Sequence, residues 1–304
     1  MPRILDIETD AVISLDECVG RLGQGGFDAG DGGSLHYAAT ALKQLANNRD
    51  FLGDMILDEL KATAGNTESR GSGGGYSAQV IMLSRPARSF YLRANIWPAQ
   101  NEYLMRSSGS APFFYNLPHD HNFSFLTAGY LGPGYWSDYY EYDYDSVAGY
   151  AGEPVDLRYM GTRRLEQGQV MLYRAHRDVH VQRPADSLSV SLNIMQMNHA
   201  QGWYDQYRFD VENGRIAGIL SYGCADTLLH LATAAGGDNG LDLAAEFAQH
   251  HPSERMQMSA WRALAAQCGD TDCQRTHYEA GLSHDSALVR GECRHMLAQH
   301  FGSD

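Results

Sequence analysis

The chain has little positive charge, few cysteines and no long hydrophobic run. Its 304 residues carry 23 Lys and Arg against 37 Asp and Glu, a formal net charge of -14. This balance argues against nucleic acid or an anionic membrane surface as partner, because both bind through clustered basic side chains. The five cysteines are scattered and odd in number, so they do not suggest a disulfide framework.

The same absences predict a location. No apolar run approaches the roughly 18 residues of a membrane-spanning helix, and the opening segment carries acids in place of the apolar core of a signal peptide. We therefore expect a soluble, cytoplasmic protein with reduced thiols. The hydrophobic content of 43% excludes a disordered composition, and the length allows one large or two modest domains.

Helical patterns occupy the first quarter of the chain. In residues 34–48, apolar side chains recur at three- and four-residue steps, and Ser34 is the expected N-cap. Residues 49–65 predict a second helix that ends near Gly65. The Gly- and Ser-rich segment 65–77 predicts a loop. We interpret residues 1–75 as an N-terminal helical region.

After this loop the hydrophobic period changes from helical to two. Segments rich in Val, Ile, Tyr, Phe and Trp follow one another to about residue 200, with turn residues between them. Many short strands in series predict a sandwich or a barrel, which we place at residues 76–215.

Residues 216–304 predict a C-terminal helical domain. Segments 251–267 and 284–300 align without gaps at a spacing of 33, and Ser253 is aligned with Ser286. The pair resembles HEAT-type repeats, each a polar turn followed by a helix with an apolar stripe. An ordinary helical cap is the alternative.

Two histidines stand one residue apart in the aromatic stretch FFYNLPHDHNFSF. His119 and His121 would point to the same face of a strand, because side chains alternate across it. Two inward-facing imidazoles repel if charged and need hydrogen-bond partners if neutral. A bound metal removes both problems. The alternative is a pair of structural histidines in a sheet.

The residues that follow this pair resemble the first motif of the cupin family. In that motif His-x-His is followed by a glutamate and then by a glycine at a turn. Here Phe125 stands where the family usually has glutamate, and Gly132 matches the glycine. The resemblance implies a double-stranded β-helix, also called a jelly roll, as the β core between helical flanks.

The second cupin motif has its match in the segment GQVMLYRAHRDVH, one residue longer than usual. Gly168 opens it, an apolar strand and a turn follow, and His180 matches the metal ligand. His176 stands where the family often has glycine. The residues around it favour a strand, a turn and a second strand over a helix.

Within the cupins, the chain is most similar to the three-histidine thiol dioxygenases such as cysteine dioxygenase. The segments YLRANIWP, HDHNFSFLTAGYLG and HVQRPADSLSVSLNIM carry that similarity. The resemblance implies that His119, His121 and His180 hold Fe(II), with O2 as co-substrate. One departure is that Asn193 and Met195 occupy the places of a histidine and a tyrosine that assist thiol chemistry. The thiol substrate therefore does not follow from the resemblance.

Three neutral imidazoles leave a divalent metal two positive charges and open positions for a chelating substrate and O2. Imidazole also suits Zn, Ni and Cu, and Mn remains an alternative, so the residues alone do not select Fe(II). Asp120, between the two neighbouring histidines, should face away from them as a solvent or second-layer residue.

Three further residues are candidates for a catalytic role. Arg93 shares one strand face with Tyr91 and Asn95; if that face lines the barrel, Arg93 could bind a substrate carboxylate in bidentate fashion. If it faces solvent, the strand is simply amphipathic. Arg174 is a candidate for the same role, and His176 is a candidate outer-shell or fourth ligand.

The acidic, Tyr-rich segment 135–156 lies between the two motifs. It is interpreted either as a surface hairpin or as a lid over the site. An acidic lid would suit a cationic substrate, such as one with an amine or guanidinium group.

The sequence therefore predicts a mononuclear non-haem Fe(II) oxygenase that acts on a small polar molecule or an amino-acid or peptide side chain. One alternative is a 2-oxoglutarate-dependent hydroxylase on the same barrel, although position 121 lacks the usual carboxylate. Others are a Zn, Mn or Ni isomerase or lyase, and a non-catalytic metal- or ligand-binding module. Further expectations are a protein partner on the C-terminal helices and a homodimer through an edge strand.

Overall fold

The computed structural model describes residues 1–65, 77–221 and 223–302. The chain divides into two compact units. The first consists of Met1–Glu141 and Arg158–His199, and the second of Tyr142–Leu157 and Ala200–Asp304. The loop predicted at 65–77 lies, apart from its ends, outside the described residues. The boundaries predicted from the sequence, at 75 and 215, stay predictions.

The first unit is built from strands with helices at its beginning. Its helices are α1 (Leu15–Gly25), α2 (Gly32–Asn47), α3 (Phe51–Gly65) and α4 (Tyr103–Ser108). Its strands are β1 (Arg3–Leu5), β2 (Val80–Met82), β3 (Phe90–Trp97), β4 (Phe125–Leu131), β5 (Trp136–Glu141), β6 (Arg158–Arg164), β7 (Val170–Tyr173), β8 (Asp178–Gln182) and β9 (Ser189–Gln196).

These strands form two antiparallel sheets. The larger sheet has the order β1-β7-β4-β9-β3-β2, and the smaller has the order β6-β5-β8. One aromatic core contains side chains from both sheets, including Phe125 and Met195 from the larger and Tyr139 from the smaller. The predicted β core with helical flanks is confirmed, in the form of a β-sandwich. The jelly-roll path stays a prediction.

The helices pack on the outer face of the larger sheet. Leu126 and Ala128 of β4 join the same hydrophobic core as Leu42 and Leu45 of α2, whereas Phe125 points into the sandwich. This two-residue alternation is the pattern that the sequence predicted. It determines which β-strand side chains reach the interior, where the histidines lie.

Local hydrogen bonds explain where the first helices begin. The N–H of Glu17 donates to Ser14 Oγ at 3.1 Å, and the N–H of Ser14 donates to the Glu17 carboxylate at 2.9 Å. This is a capping box, which starts α1. The cap of α2 is Asp31, whose carboxylate accepts from the N–H of Ser34 at 2.7 Å. The prediction of Ser34 as the N-cap was therefore wrong by one turn.

The second unit is mainly helical. Its elements are β10 (Tyr207–Asp210), β11 (Arg215–Ile219), α5 (Cys224–Ala235), α6 (Gly237–His250), α7 (Glu254–Ala265), α8 (Thr271–Gly281) and α9 (Ala287–His300). The two strands pair with each other as a hairpin, and the helices enclose their own core around Trp261 and Val289. None of the described helices has the length and apolar character that a membrane span requires.

The two aligned segments of this unit begin their helices in the same way. His251 Nδ1 accepts from the N–H of Ser253 at 3.0 Å, and His284 Nδ1 accepts from the N–H of Ser286 at 3.0 Å. Each serine then caps its helix by accepting from the N–H three residues further on. The 33-residue repeat therefore has a matching local geometry, while the HEAT-type interpretation stays a prediction.

The Tyr-rich segment between the two motifs is different from what the sequence suggested. Trp136–Glu141 is β5, the central strand of the smaller sheet, and Tyr139 in it is completely buried. The interpretation of this part as a lid or a surface hairpin was wrong. Alternating aromatic residues form a core strand here because β6 and β8 pair with both of its edges.

Candidate metal centre

Two backbone hydrogen bonds between His119 and His180 bring the segments that carry the three histidines together. His119 and His121 lie just before β4, and His180 lies in β8. The N–H of His119 donates to the carbonyl of His180 at 3.1 Å, and the N–H of His180 donates to the carbonyl of His119 at 3.0 Å. This antiparallel bridge joins segments 61 residues apart in the sequence.

The imidazole rings converge through one nitrogen each. His180 Nε2 lies 3.0 Å from His121 Nε2 and 3.2 Å from His119 Nε2. All three rings are buried, and their ligand atoms lie within 4.8 Å of one another. In the described part of the chain, this is the group of ligating side chains close enough to share a metal ion.

The surroundings keep the three imidazoles neutral. Burial lowers the pKa of His119 to about 4. Burial, followed by the neighbouring charge of His119, holds the pKa of His121 and of His180 well below 6.5. His119 Nδ1 lies 2.8 Å from the carbonyl of Leu117, to which it donates, so its Nε2 keeps a lone pair. Neutral imidazoles whose ring nitrogens converge in this way could hold a metal ion.

Gln182 borders the ring of His180. It lies two residues further along β8 and therefore on the same face of the strand. Its Nε2 is 2.9 Å from His180 Nδ1 and 3.3 Å from His180 Nε2, and its buried Oε1 has no hydrogen-bond partner among the residues that the structure describes. The two-residue spacing was the signal by which the sequence could have identified it.

Phe125 occupies the place where the cupin motif has a carboxylate. Its ring stacks on Tyr173, with centroids 4.5 Å apart, and meets His121 edge-on at 5.0 Å. The ligand group of the described chain therefore contains three histidines and no carboxylate.

Phenol side chains form a wall beside the histidines. The hydroxyls of Tyr139 and Tyr173 are 2.9 Å apart, and the Tyr173 ring lies 4.9 Å from that of His180. Burial raises the pKa of both phenols, so both stay protonated. Sequence reasoning missed Tyr139, because its proximity to His180 comes from the pairing of β5 with β8.

Arg93 lies on β3 and faces the interior of the sandwich with Tyr91, while Leu92 and Ala94 face the helices. Its Nε is buried without a hydrogen-bond partner among the described residues. Burial lowers the pKa of the guanidinium, and its charge contributes to the lowered pKa of His121. Arg93 therefore lies near His121 and has one buried N–H without an acceptor in the described chain.

Arg93 belongs to a row of such polar groups across three strands. Asn193 of β9 pairs in register with Arg93 on one side and with Thr127 of β4 on the other. Asn193 Nδ2 and Asn95 Oδ1 are buried without a hydrogen-bond partner in the described chain, and the Thr127 hydroxyl lies next to the phenol of Tyr135. Buried polar atoms normally have partners, so this row indicates a place for a polar ligand or water.

The other two candidates from the sequence have different surroundings. The Arg174 guanidinium contacts Asp178 at 2.6 Å and Glu141 at 2.7 Å, so carboxylates of the chain itself already bind it. His176 lies in the turn between β7 and β8, where its N–H donates to the carbonyl of His121 at 2.8 Å. The predicted strand-turn-strand is confirmed, and His176 is not in the ligand group.

Asp120, between the ligand candidates, is completely buried. Of the two positions that the sequence allowed, the solvent-facing one was wrong. The protein itself covers this side chain completely.

No protein-family model matches the chain, and no curated protein matches its sequence. Among solved structures it is similar to hydroquinone 1,2-dioxygenase PnpCD in complex with Cd2+ and 4-hydroxybenzonitrile. The identity is 11% over 41% of this chain and 68% of that one, with a TM-score of 0.24. The DMSP lyase DddQ from Ruegeria pomeroyi DSS-3 is 12% identical over 66% of this chain and 79% of that one, with a TM-score of 0.25.

A third structure, vicilin from Corylus avellana, is 10% identical over 51% of this chain and 42% of that one, with a TM-score of 0.21. Overlaps this weak carry no conclusion about fold or activity. The functional argument therefore depends on the residues of the chain itself.

Proposed function

We propose that the chain is a cupin-type, mononuclear non-haem Fe(II) oxygenase. Its substrate is a small polar molecule, or an amino-acid or peptide side chain, that carries a carboxylate or a similar anion. The observation that supports this most is the convergence of three buried, neutral histidines beside a row of buried polar atoms without partners.

The donor set fits a divalent transition metal. His119, His121 and His180 would hold it through Nε2, because those atoms converge. The absence of a carboxylate from the group disfavours a 2-oxoglutarate-dependent hydroxylase, which uses two histidines and one carboxylate. When bound, the metal supplies Lewis-acid and redox chemistry with O2.

The chain's own residues bind and orient the substrate. Arg93 binds an anionic group through two parallel hydrogen bonds, the arrangement that guanidinium and carboxylate favour. Asn193, which pairs in register with Arg93, and Thr127, which pairs with Asn193 on its other side, hydrogen-bond the polar part of the same molecule. Phe125 and Tyr173 exclude water from the side of His121, which strengthens every electrostatic contact inside.

The test is the metal content of the purified chain and of three variants. We expect one iron per chain in the wild type, loss of iron in His119→Ala and His180→Ala, and full retention in His36→Ala. His36 is an exposed histidine of α2, and it controls for the removal of an imidazole as such. Far-UV circular dichroism checks that each variant is folded.

Oxygen consumption then tests the reaction class. An oxygenase consumes O2 only when both iron and a carboxylate-bearing substrate are present, and His180→Ala consumes none. Turnover under strictly anaerobic conditions would instead support a lyase or isomerase. A wild type that cannot be loaded with Fe, Zn, Mn, Ni or Cu would refute the metal centre altogether.

A further inference from the structure

A separate cavity lies within the second unit. Its volume is about 620 Å³, within the usual range for small-molecule sites. Its walls include four aromatic rings and two carboxylates: Tyr144, Trp203, Tyr204, Tyr207, Asp205 and Glu254. All of these residues belong to the second unit, so the cavity is independent of the histidine cluster.

The aromatic rings present faces at different angles. Tyr144 stacks on Tyr207 with centroids 5.6 Å apart and an interplanar angle of 22°, and it meets Tyr204 at 6.2 Å and 66°. Trp203 is 63% exposed and Tyr204 is 45% exposed, so both belong to the rim. Rings set at different angles around one space attract a cation, because each ring face carries partial negative charge.

The charged groups at the cavity add to this negative potential. Arg255, the basic residue in the lining, contacts Asp205 at 3.0 Å and Asp226 at 3.2 Å and also donates to the carbonyl of Ser221. Its charge is therefore more than balanced by two carboxylates. Glu254 is exposed at the cavity and adds a further negative charge.

These carboxylates already have hydrogen-bonding or ionic partners of their own. Glu254 accepts from the Ser286 hydroxyl at 2.7 Å, and Asp205 is held by Arg255. Each carboxylate stays ionic and keeps further lone pairs, so both contribute negative potential to the cavity. A methylated ammonium suits this arrangement, because it is positively charged and packs its methyl groups against aromatic faces.

We propose that the cavity of the second unit binds a methylated ammonium group by cation–π contacts. The group belongs either to a free small molecule or to a methylated lysine side chain of a peptide, and both would present the same cation to Trp203 and Tyr204. An anion would be repelled by the carboxylates, and an uncharged ligand would gain nothing from them.

The first experiment is a titration of the full-length chain with tetramethylammonium chloride and, separately, with the uncharged neopentyl alcohol. Binding is measured by calorimetry and by tryptophan fluorescence. A desolvated cation–π contact corresponds to a preference of about thirtyfold for the cation over its neutral analogue. Equal affinity for both molecules, or no binding of tetramethylammonium, would overturn the proposal.

Variants at the exposed rim locate the site without disturbing the core. We expect Trp203→Leu and Tyr204→Leu each to weaken tetramethylammonium binding about three- to tenfold, and Trp203→Phe to retain most of it. Tyr103→Leu is the matched control, because Tyr103 is an exposed aromatic residue of the first unit. Unchanged affinity in both leucine variants would place binding elsewhere and refute the site.

A second titration distinguishes the two sources of the cation. Free trimethyllysine is compared with a short peptide that contains trimethyllysine at its centre. Tighter binding of the peptide assigns the cavity to methylated protein side chains, and equal or weaker binding assigns it to a free small molecule. Binding of neither, together with no binding of tetramethylammonium, refutes the proposal in both forms.

Discussion

Replacing each of two arginines, Arg93 in the interior of the sandwich and the partly exposed Arg174, by methionine should change stability in opposite directions. Arg93 has a buried Nε without a hydrogen-bond partner in the described chain, whereas Arg174 is held by Asp178 and Glu141. Methionine keeps most of the apolar stem and removes the charge. Arg93→Met therefore removes a buried N–H that has no partner in the described chain, whereas Arg174→Met removes one of several cations that pair with Glu141 and Asp178.

The magnitudes follow from these surroundings. A buried polar group without a partner costs about 1–3 kcal/mol, so Arg93→Met should raise the free energy of unfolding by about 1–2 kcal/mol. Breaking a fully buried ion pair on one side costs about 3–5 kcal/mol. Arg174 is 25% exposed and its two carboxylates keep the amino terminus as a partner, so Arg174→Met should lower the free energy of unfolding by less, about 1–2 kcal/mol. For a chain of this size, 1 kcal/mol corresponds to about 2–4 °C in Tm.

Urea unfolding followed by far-UV circular dichroism measures both changes, with all variants in the same metal-loading state. Exposed Arg183, which pairs with Asp138, is the control, because loss of an exposed ion pair changes stability by at most about 1 kcal/mol. If Arg93→Met destabilises the chain by more than 1 kcal/mol, Arg93 has a structural partner and the anion-binding role is refuted. The same variant should lose affinity for a carboxylate substrate, and Arg174→Met should not.

Three further changes test the site and the two cores. Burial raises the pKa of Glu141, but hydrogen bonds from the amino terminus and two arginines lower it to about 2. The stability that the Glu141 carboxylate contributes is therefore fully present above pH 4.5, and it is lost as the pH falls from 4.5 towards 2. Glu141→Gln should remove about 1–3 kcal/mol of that acid dependence in pH-dependent urea unfolding, and an unchanged slope would contradict it. Gln182→Leu should weaken metal affinity about 10- to 100-fold in a competition with a chelator, because the amide orients His180; unchanged affinity would make Gln182 a packing residue. Gly281→Ala should destabilise the second unit by about 1–3 kcal/mol in thermal unfolding, because the added Cβ would lie 2.4 Å from Cys293 Sγ; a Tm equal to that of the wild type would contradict the packing.

Local sequence patterns predicted the structure correctly wherever a single helix or strand determines which side chains are buried. The helical spacing in 34–48 and the two-residue alternation around Arg93 are both present in the structure, because one face of each element is buried against a neighbour. The sequence reading missed α1 although Ser14 and Glu17 have the spacing of a capping box. It also misplaced Trp136–Glu141, because a strand with pairs on both edges has the same composition as a surface hairpin.

The sequence by itself determined the candidate ligands His119, His121 and His180, the β-rich centre, the helical ends and the 33-residue repeat. Only the tertiary structure decided which arginine has charged partners, which tyrosines border the histidines, and where aromatic rings of the second unit enclose a cavity. The physical reason is the distance along the chain between the residues that interact. Spacing within a strand or helix fixes which side chains share a face, but the pairing of distant strands decides what that face meets.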